Sequence, residues 1–286
     1  MPVAIVSDST CYLPRELVEQ NRIHLVSLYV NWGDSSEREL DMPDFDEFYD
    51  RLRSADRLPT TSQPSIGDFL DVYGPLVAEG YDVVSVHITG GISGTVEAAR
   101  QAKERLAEDS GADRVTVIDS ERAAGGLGLM ALAGARVAAG AGDAAAVIER
   151  IEQTRADLKM WFAVDTLEFL RRGGRIGAAS AWLGSALRIK PILTLDKEIT
   201  PIERVRTGAK AIRRLTEYVE QRHADGADAW VVQHVQAPEE AGQLMEAAER
   251  ITGRGPAFVS EVGPVIGTHI GPGLLGVGGV PPADLE

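Results

Sequence analysis

Asp82-Val83-Val84-Ser85-Val86-His87-Ile88-Thr89-Gly90-Gly91-Ile92-Ser93-Gly94-Thr95 carries three structural signals in one run. Residues 82–88 are brief and valine-rich, the mark of a buried strand, and residues 89–94 are small, polar and glycine-rich. From Thr95 to residue 107 the pattern becomes helical. The same order of strand, polar turn and helix recurs at residues 3–7 and 114–119. The sequence therefore predicts an α/β chain with an N-terminal, doubly wound, mainly parallel sheet. Further helices are expected at 45–54, 66–78 and 126–139, with Asp44 and Ser65 as N-caps of the first two. Ligands of such sheets bind beyond the carboxyl ends of the strands, so the residues directly after each strand are the first candidates.

After an acidic helix at 143–154 the pattern changes. Residues 159–164, 191–196 and 198–205 read as strands, the last two as a hairpin turning at Lys197, followed by a helix at 208–223, a strand at 230–235, a helix at 238–251 and a strand at 257–262. This part reads as α+β. Two domains are expected, 1–157 and 158–286, packed directly because no low-complexity linker separates them, with the default site in the cleft.

Composition narrows the partners. The 286 residues are 44% hydrophobic and 25% charged, ordinary for a globular protein, and 43 acidic against 29 basic residues give a net charge of −14. That charge repels phosphate backbones, so nucleic acid is not an expected partner. Cys11 stands alone, which excludes an intrachain disulfide, and the first residues lack the basic flank and apolar core of a signal peptide. The expected location is cytoplasmic. Residues 262–283 hold no Asp, Glu, Lys or Arg and are long enough for a membrane span, but their glycines and prolines would break a helix there.

Three hydroxyl clusters follow predicted strands or open helices: Ser7-Asp8-Ser9-Thr10, Thr60-Thr61-Ser62-Gln63-Pro64-Ser65, and Thr89 to Thr95. Each reads either as helix caps or as a polar site. The third is the more informative, because a helix starting near Thr95 would aim free N–H groups and a positive dipole end at a ligand. Asp119-Ser120 with Gly125-Gly126-Leu127-Gly128 fits neither a dinucleotide nor a phosphate-loop pattern, and close helix–sheet packing explains its glycines. His87 and His234 read as core histidines, His24 and His223 as strand-start and helix-end residues.

Arg171-Arg172-Gly173-Gly174-Arg175 reads as a turn presenting guanidinium groups to an anion, or as a helix end with arginines complementing its dipole. Lys190, Arg204 and Arg206 are candidates to extend that basic surface. Gly263-Pro264-Val265-Ile266-Gly267-Thr268-His269-Ile270-Gly271-Pro272-Gly273 reads as a loop wrapping a bound group, with His269 as its one titratable side chain.

Together SDST, TTSQPS, ITGGISGT, VIDS with GGLG, TLEFLRRGGRI, LRIKPIL and GPVIGTHIGPG stand in the order seen in the DegV family of fatty-acid-binding proteins, and the chain resembles that family over nearly its whole length. The resemblance implies a two-domain carrier that buries a long-chain fatty acid between its halves. It also implies presentation of the carboxylate to a separate fatty acid kinase, which forms the acyl phosphate, and transient membrane contact for lipid exchange. No cofactor or metal is implied. Position by position, Thr61, Ser93 and His269 match the carboxylate-holding residues, with Ser62 and Thr95 as secondary candidates. Arg175, with Arg204 or Arg206, matches the basic surface near the head group. Tyr12, where an acidic residue often follows SDSTC, and Ala123-Ala124, in place of more polar residues, depart from the pattern.

Energetics divide the ligand in two. A chain of about fourteen methylenes at ~0.8 kcal/mol each offers roughly 11 kcal/mol before ordering costs, whereas a buried carboxylate is costly unless several donors meet it. The tail supplies affinity and the polar residues supply orientation. A different class remains open: an acyl- or phosphoryl-transfer enzyme with Ser93 as nucleophile, His269 as base and Asp8 as orienting acid. The sequence has no GxSxG elbow, metal-ligand cluster or Walker loop to support it. A regulatory protein sensing another small ligand on the same fold is the third reading.

Overall fold

The computed structural model describes residues 1–111, 113–183 and 189–286; Leu187 and Arg188 of the LRIKPIL motif lie outside the described residues. The chain runs β1 (Val3–Asp8), α1 (Arg15–Gln20), β2 (His24–Val26), β3 (Tyr29–Trp32), β4 (Ser35–Arg38), α2 (Asp46–Ser54), β5 (Thr60–Ser62), α3 (Ile66–Ala78), β6 (Asp82–His87), α4 (Thr95–Ser110), β7 (Val115–Asp119), α5 (Gly125–Ala139) and α6 (Ala144–Asp157). It continues through β8 (Lys159–Ala163), α7 (Glu168–Arg172), β9 (Lys190–Asp196), β10 (Glu198–Val205), α8 (Gly208–Ala224), β11 (Ala229–His234), α9 (Pro238–Thr252), β12 (Phe258–Glu261), α10 (Pro264–Ile270) and β13 (Leu275–Val280).

The expected parallel sheet is present, in the order β2-β1-β6-β7 with every pairing parallel. Alternation along β1 sends Val3 and Ile5 toward α5 and α6, and Ala4 and Val6 toward α3 and α4, so both faces are covered by helices. Ser65 caps α3 in a reciprocal box with Asp68. Asp44 does not occupy the N-cap of α2, which starts one residue later than expected behind Phe45, although its carboxylate still accepts from the Asp46 N–H at 3.2 Å. The glycines of α5 serve close packing: a Cβ at Gly128 would sit 2.8 Å from the Cys11 carbonyl, and one at Gly134 2.7 Å from Ile151.

The second sheet has the order β10-β9-β8-β13-β11-β12, all antiparallel except β11 with β12. Lys197 turns the β9–β10 hairpin with φ +65°. Helices α8 and α9 pack Leu215 and Leu244 against Val232 and Val277. The sequence reading missed β13, whose glycines at 276, 278 and 279 suppress the usual strand signal. They are required there, since a Cβ at Gly278 would collide with Met160 and one at Gly279 would lie 2.8 Å from the Ala227 carbonyl.

Two further differences bear on the site. The Gly263–Gly273 region is not a loop: residues Pro264–Ile270 form a short helix, started by proline at its first position and ended at Gly271 with φ +76°. A small antiparallel sheet, β4-β3-β5, was also not anticipated, and it turns Thr60–Ser62 from a hydroxyl cluster into a strand. Among the described residues no helix is long and apolar enough to cross a membrane.

Candidate functional site

Beyond the carboxyl ends of β6 and β7 a cavity open to solvent lies between the two large sheets. Its walls are mostly apolar, with Ile88 and Ile92 from one side and Met160, Phe162, Leu195, Ile199 and Ile266 from the other. Thr61, Ser62, Gln63, Ser93, Arg175 and His269 add polar groups to the lining, as do Arg122 and Gln233. Gln233 is already engaged, accepting from the Gly125 N–H and donating to Ser260 at 2.9 Å. Arg122 is held by Asp196 at 2.9 Å and by the carbonyls of Arg155 and Leu158.

His269 sits in the last turn of α10 and shares a 2.7 Å hydrogen bond, Nε2 to Oγ1, with Thr61 of β5. Its Nδ1 is buried without a partner among the described residues and lies against Gly173, where a Cβ would collide with it. Glycine at the end of α7 thus makes room for the imidazole. Burial, and secondarily the Arg175 guanidinium, push the His269 pKa down to about 4, so the ring is neutral near pH 7. A proton on Nδ1 would be a buried N–H without an acceptor. We assign it to Nε2, which donates to Thr61 and leaves the Thr61 hydroxyl free to donate to a ligand.

Ser93 stands in the glycine-rich turn that opens α4. Its hydroxyl bonds the Thr95 hydroxyl at 2.8 Å and accepts from the Thr95 N–H at 3.3 Å, so it combines a capping role with a place in the cavity wall. Thr95 is fully buried behind it and does not line the cavity. Ser62 lines the cavity but is exposed, and Asn31 donates to it at 3.4 Å. Gln63, not singled out from the sequence, packs so closely on Gly94 that a Cβ there would lie 2.8 Å away.

The arginines separate by role. Arg171 and Arg172 both bind Glu168 one helical turn back, which holds that carboxyl at about 2. Arg175 instead turns to the cavity, donating to the Gly173 carbonyl at 2.7 Å and the Ile92 carbonyl at 3.2 Å. No carboxylate pairs with it among the described residues. Lys190 is paired with Asp165 and lines a separate, polar cavity. Arg204 lies over the Trp182 ring, 4.5 Å from its centroid, and Arg206 is exposed beyond β10; neither lines the cavity.

A bulge decides where Arg204 points. Ile199 lines the cavity and Arg204 follows five residues later, so strict alternation would place it on the opposite face. The ladder slips at Ile202, pairing Pro201 with Leu193 and Glu203 with Ile192. Arg204 returns to the Trp182 side, while Glu203 pairs with Arg214 of α8.

The β9–β10 hairpin also pins the Ser93 turn. Thr89 donates to the Lys197 carbonyl at 3.1 Å, and Gly91 lies so close to that carbonyl that a Cβ would collide with it. Asp8, the candidate orienting acid of a Ser93–His269 enzyme, is elsewhere: it is fully buried and binds His87 Nδ1 at 3.0 Å and the Ile88 N–H at 2.9 Å. His87 continues to Ser85 at 2.6 Å, and Tyr73 donates to Ser85. That chain makes His87 a satisfied core histidine, as its strand context implied.

The chain matches the DegV family model, described as an uncharacterised protein family, over residues 2–281. It is 38% identical over 283 residues to the protein DegV of Bacillus subtilis strain 168, covering 97% of this chain and 98% of that one. Among solved structures, a DegV family protein from Thermus thermophilus, described by its fatty acid binding, is 34% identical with a TM-score of 0.86, covering 98% of this chain and 100% of that one. A stearic-acid-binding protein from Eubacterium ventriosum is 26% identical with a TM-score of 0.89, covering 98% of both chains.

Proposed function

Because the chain belongs to the DegV family, we propose that it binds a long-chain fatty acid, with the tail in the apolar cavity and the carboxylate at Thr61, Ser93, Arg175 and His269. The observation that carries this reading is one cavity that joins apolar walls to hydroxyls, a neutral imidazole and an arginine that, among the described residues, has no carboxylate partner. Apolar walls suit methylenes, and charge-assisted donation from Arg175 offsets the cost of burying a carboxylate. Residues 1–157 and 158–286 act as the two halves that enclose it.

In the same proposal the protein is a cytoplasmic carrier with no chemistry of its own. It presents the carboxylate to a separate kinase, Arg204 and Arg206 facing that partner or its phosphate, and exchanges lipid at the membrane. The hydrogen bonds favour a carrier over a Ser93–His269 nucleophile pair, because Ser93 is bonded to Thr95 and His269 to Thr61. Native mass spectrometry with lipid extraction tests the proposal. A stoichiometric fatty acid in the purified protein is the expected result. An empty cleft, together with ester hydrolysis abolished by Ser93→Ala, would overturn it in favour of an enzyme.

A further inference from the structure

The helix that carries His269 has no cap of its own at its start: Gly263 offers no side chain, and the first free N–H groups of α10 are met from far away in sequence. The Glu39 carboxylate accepts from the Val265 N–H at 2.8 Å, 226 residues distant, and the Tyr12 hydroxyl accepts from the Ile266 N–H at 3.2 Å. Tyr12 in turn donates to the same Glu39 oxygen at 2.8 Å, and Ser9 donates to the other at 2.5 Å. Glu39 is only 3% exposed. Gly263 is held close, for a Cβ there would sit 2.7 Å from the Tyr12 ring and 2.8 Å from the Glu39 carboxylate.

Glu39 directly follows β4, and Thr61 lies in β5; both strands pair with β3, Val30 facing Glu37 on one side and Thr61 on the other. The small sheet thus grips α10 at both ends. It caps the helix start through Glu39 and binds the imidazole at the helix end through Thr61. Resting on the fatty-acid reading above, we propose that Glu39 is a positioning residue, which sets α10 and thereby the Thr61–His269 pair that meets the ligand carboxylate.

Burial pushes the Glu39 carboxyl up to about 7, against the hydrogen bonds that lower it. The titratable groups that face it are Asp8, Cys11, Tyr12 and Tyr49, none of them a cation, and α10 presents only N–H groups. The ionised carboxylate is the stronger acceptor for the Val265 N–H, so the grip on α10 responds to pH near neutrality.

The test uses the full-length protein, stripped of lipid, with palmitic acid as the probe and the His269 ring resonances as a local readout. In the wild type the His269 signals should show a step near neutral pH although the ring itself stays neutral. Glu39→Gln, which keeps an acceptor oxygen for Val265 and Tyr12 and turns the oxygen that Ser9 donates to into an amide that can donate to the Ser9 hydroxyl, should fold and lose that step. Glu39→Ala should also weaken palmitate binding on the order of fivefold, the size of a lost helix cap. An unchanged His269 pH profile in Glu39→Gln overturns the proposal, even if the alanine variant does not fold. A wild type that shows the step but binds no palmitate overturns the fatty-acid reading and leaves the positioning role standing.

Discussion

Thr61 Oγ1 and His269 Nε2 lie 2.7 Å apart across 208 residues of sequence. The contact joins a strand of the smallest sheet to α10, the helix between β12 and β13. It fixes one proton on the imidazole and leaves the threonine hydroxyl at the cavity wall, so in the proposed carrier the pair would act as an orienting donor more than as a base.

His269 should remain neutral in the lipid-free protein down to about pH 4. Followed by NMR in Glu39→Gln, where the step transmitted from Glu39 is absent, its ring-carbon proton resonance should not titrate between about pH 5 and about pH 8, the range around the ordinary histidine value. Arg175→Met removes the lesser of the two depressing influences and should move the midpoint upward. A midpoint near 6.5 that persists in Glu39→Gln would contradict the neutral assignment.

Thr61→Ala and Ser93→Ala should each weaken fatty acid binding modestly, by about 0.5–1.5 kcal/mol, the net worth of one hydrogen bond. Acyl phosphate formation by a cognate kinase should fall more severely, because the tail holds the ligand while the hydroxyls aim its head. Calorimetry and a coupled kinase assay read the two effects separately. Full phosphorylation by both variants would remove these residues from the head-group site.

Glycine substitutions should divide sharply. Gly173→Ala drives a methyl into the His269 ring, so binding should suffer more than folding. Gly91→Ala meets the Lys197 backbone carbonyl, which has little room to yield, and should destabilise by about 1–3 kcal/mol. Gly242→Ala, inside α9 with open space around it, should stabilise by up to ~1 kcal/mol. Thermal unfolding of the three proteins checks the order.

Two buried groups should tilt the stability profile in opposite directions. The folded protein resists protonating His269, whereas the unfolded chain takes up that proton near 6.5, so this contribution is lost as pH falls from 6.5 toward about 4. The folded protein holds a proton on Glu39 that the unfolded chain releases near 4.5, so this contribution is complete below 4.5 and lost as pH rises through about 7. Urea titrations should show His269→Asn flattening the acid limb and Glu39→Gln the neutral one. A Glu39→Gln profile parallel to the wild type would show that the carboxyl ionises freely.

The parallel sheet was legible because strand, glycine turn and helix are written in consecutive residues, as at 82–107. Of the cavity residues, Ser93, Arg175 and His269 were legible as polar side chains among glycines, and Thr61 as a member of a hydroxyl cluster. What escaped depends on contacts between distant segments. β13 and α10 owe their glycines to Met160, Ala227 and Tyr49, which no local pattern announces. The Gly33-Asp34 pair between Trp32 and Ser35 was a readable hairpin signal for β3 and β4. Glu39 gave no signal, since one glutamate in a charged stretch looks like any solvated surface residue. Arg204 needed the partner strand: counting along Leu193, Ile192 and Pro191 places it correctly, and counting along its own strand does not.

The last strand, β13, lies between β8 and β11, so the second sheet is finished from its middle. During synthesis, β8 to β10 and β11 with β12 precede the strand that joins them, each with a bare edge until α10 and β13 are made. Helix α10 also brings His269 to Thr61. Completion of the sheet and assembly of the proposed ligand site are therefore coupled, and in the proposed carrier a nascent chain would not capture lipid ahead of that step.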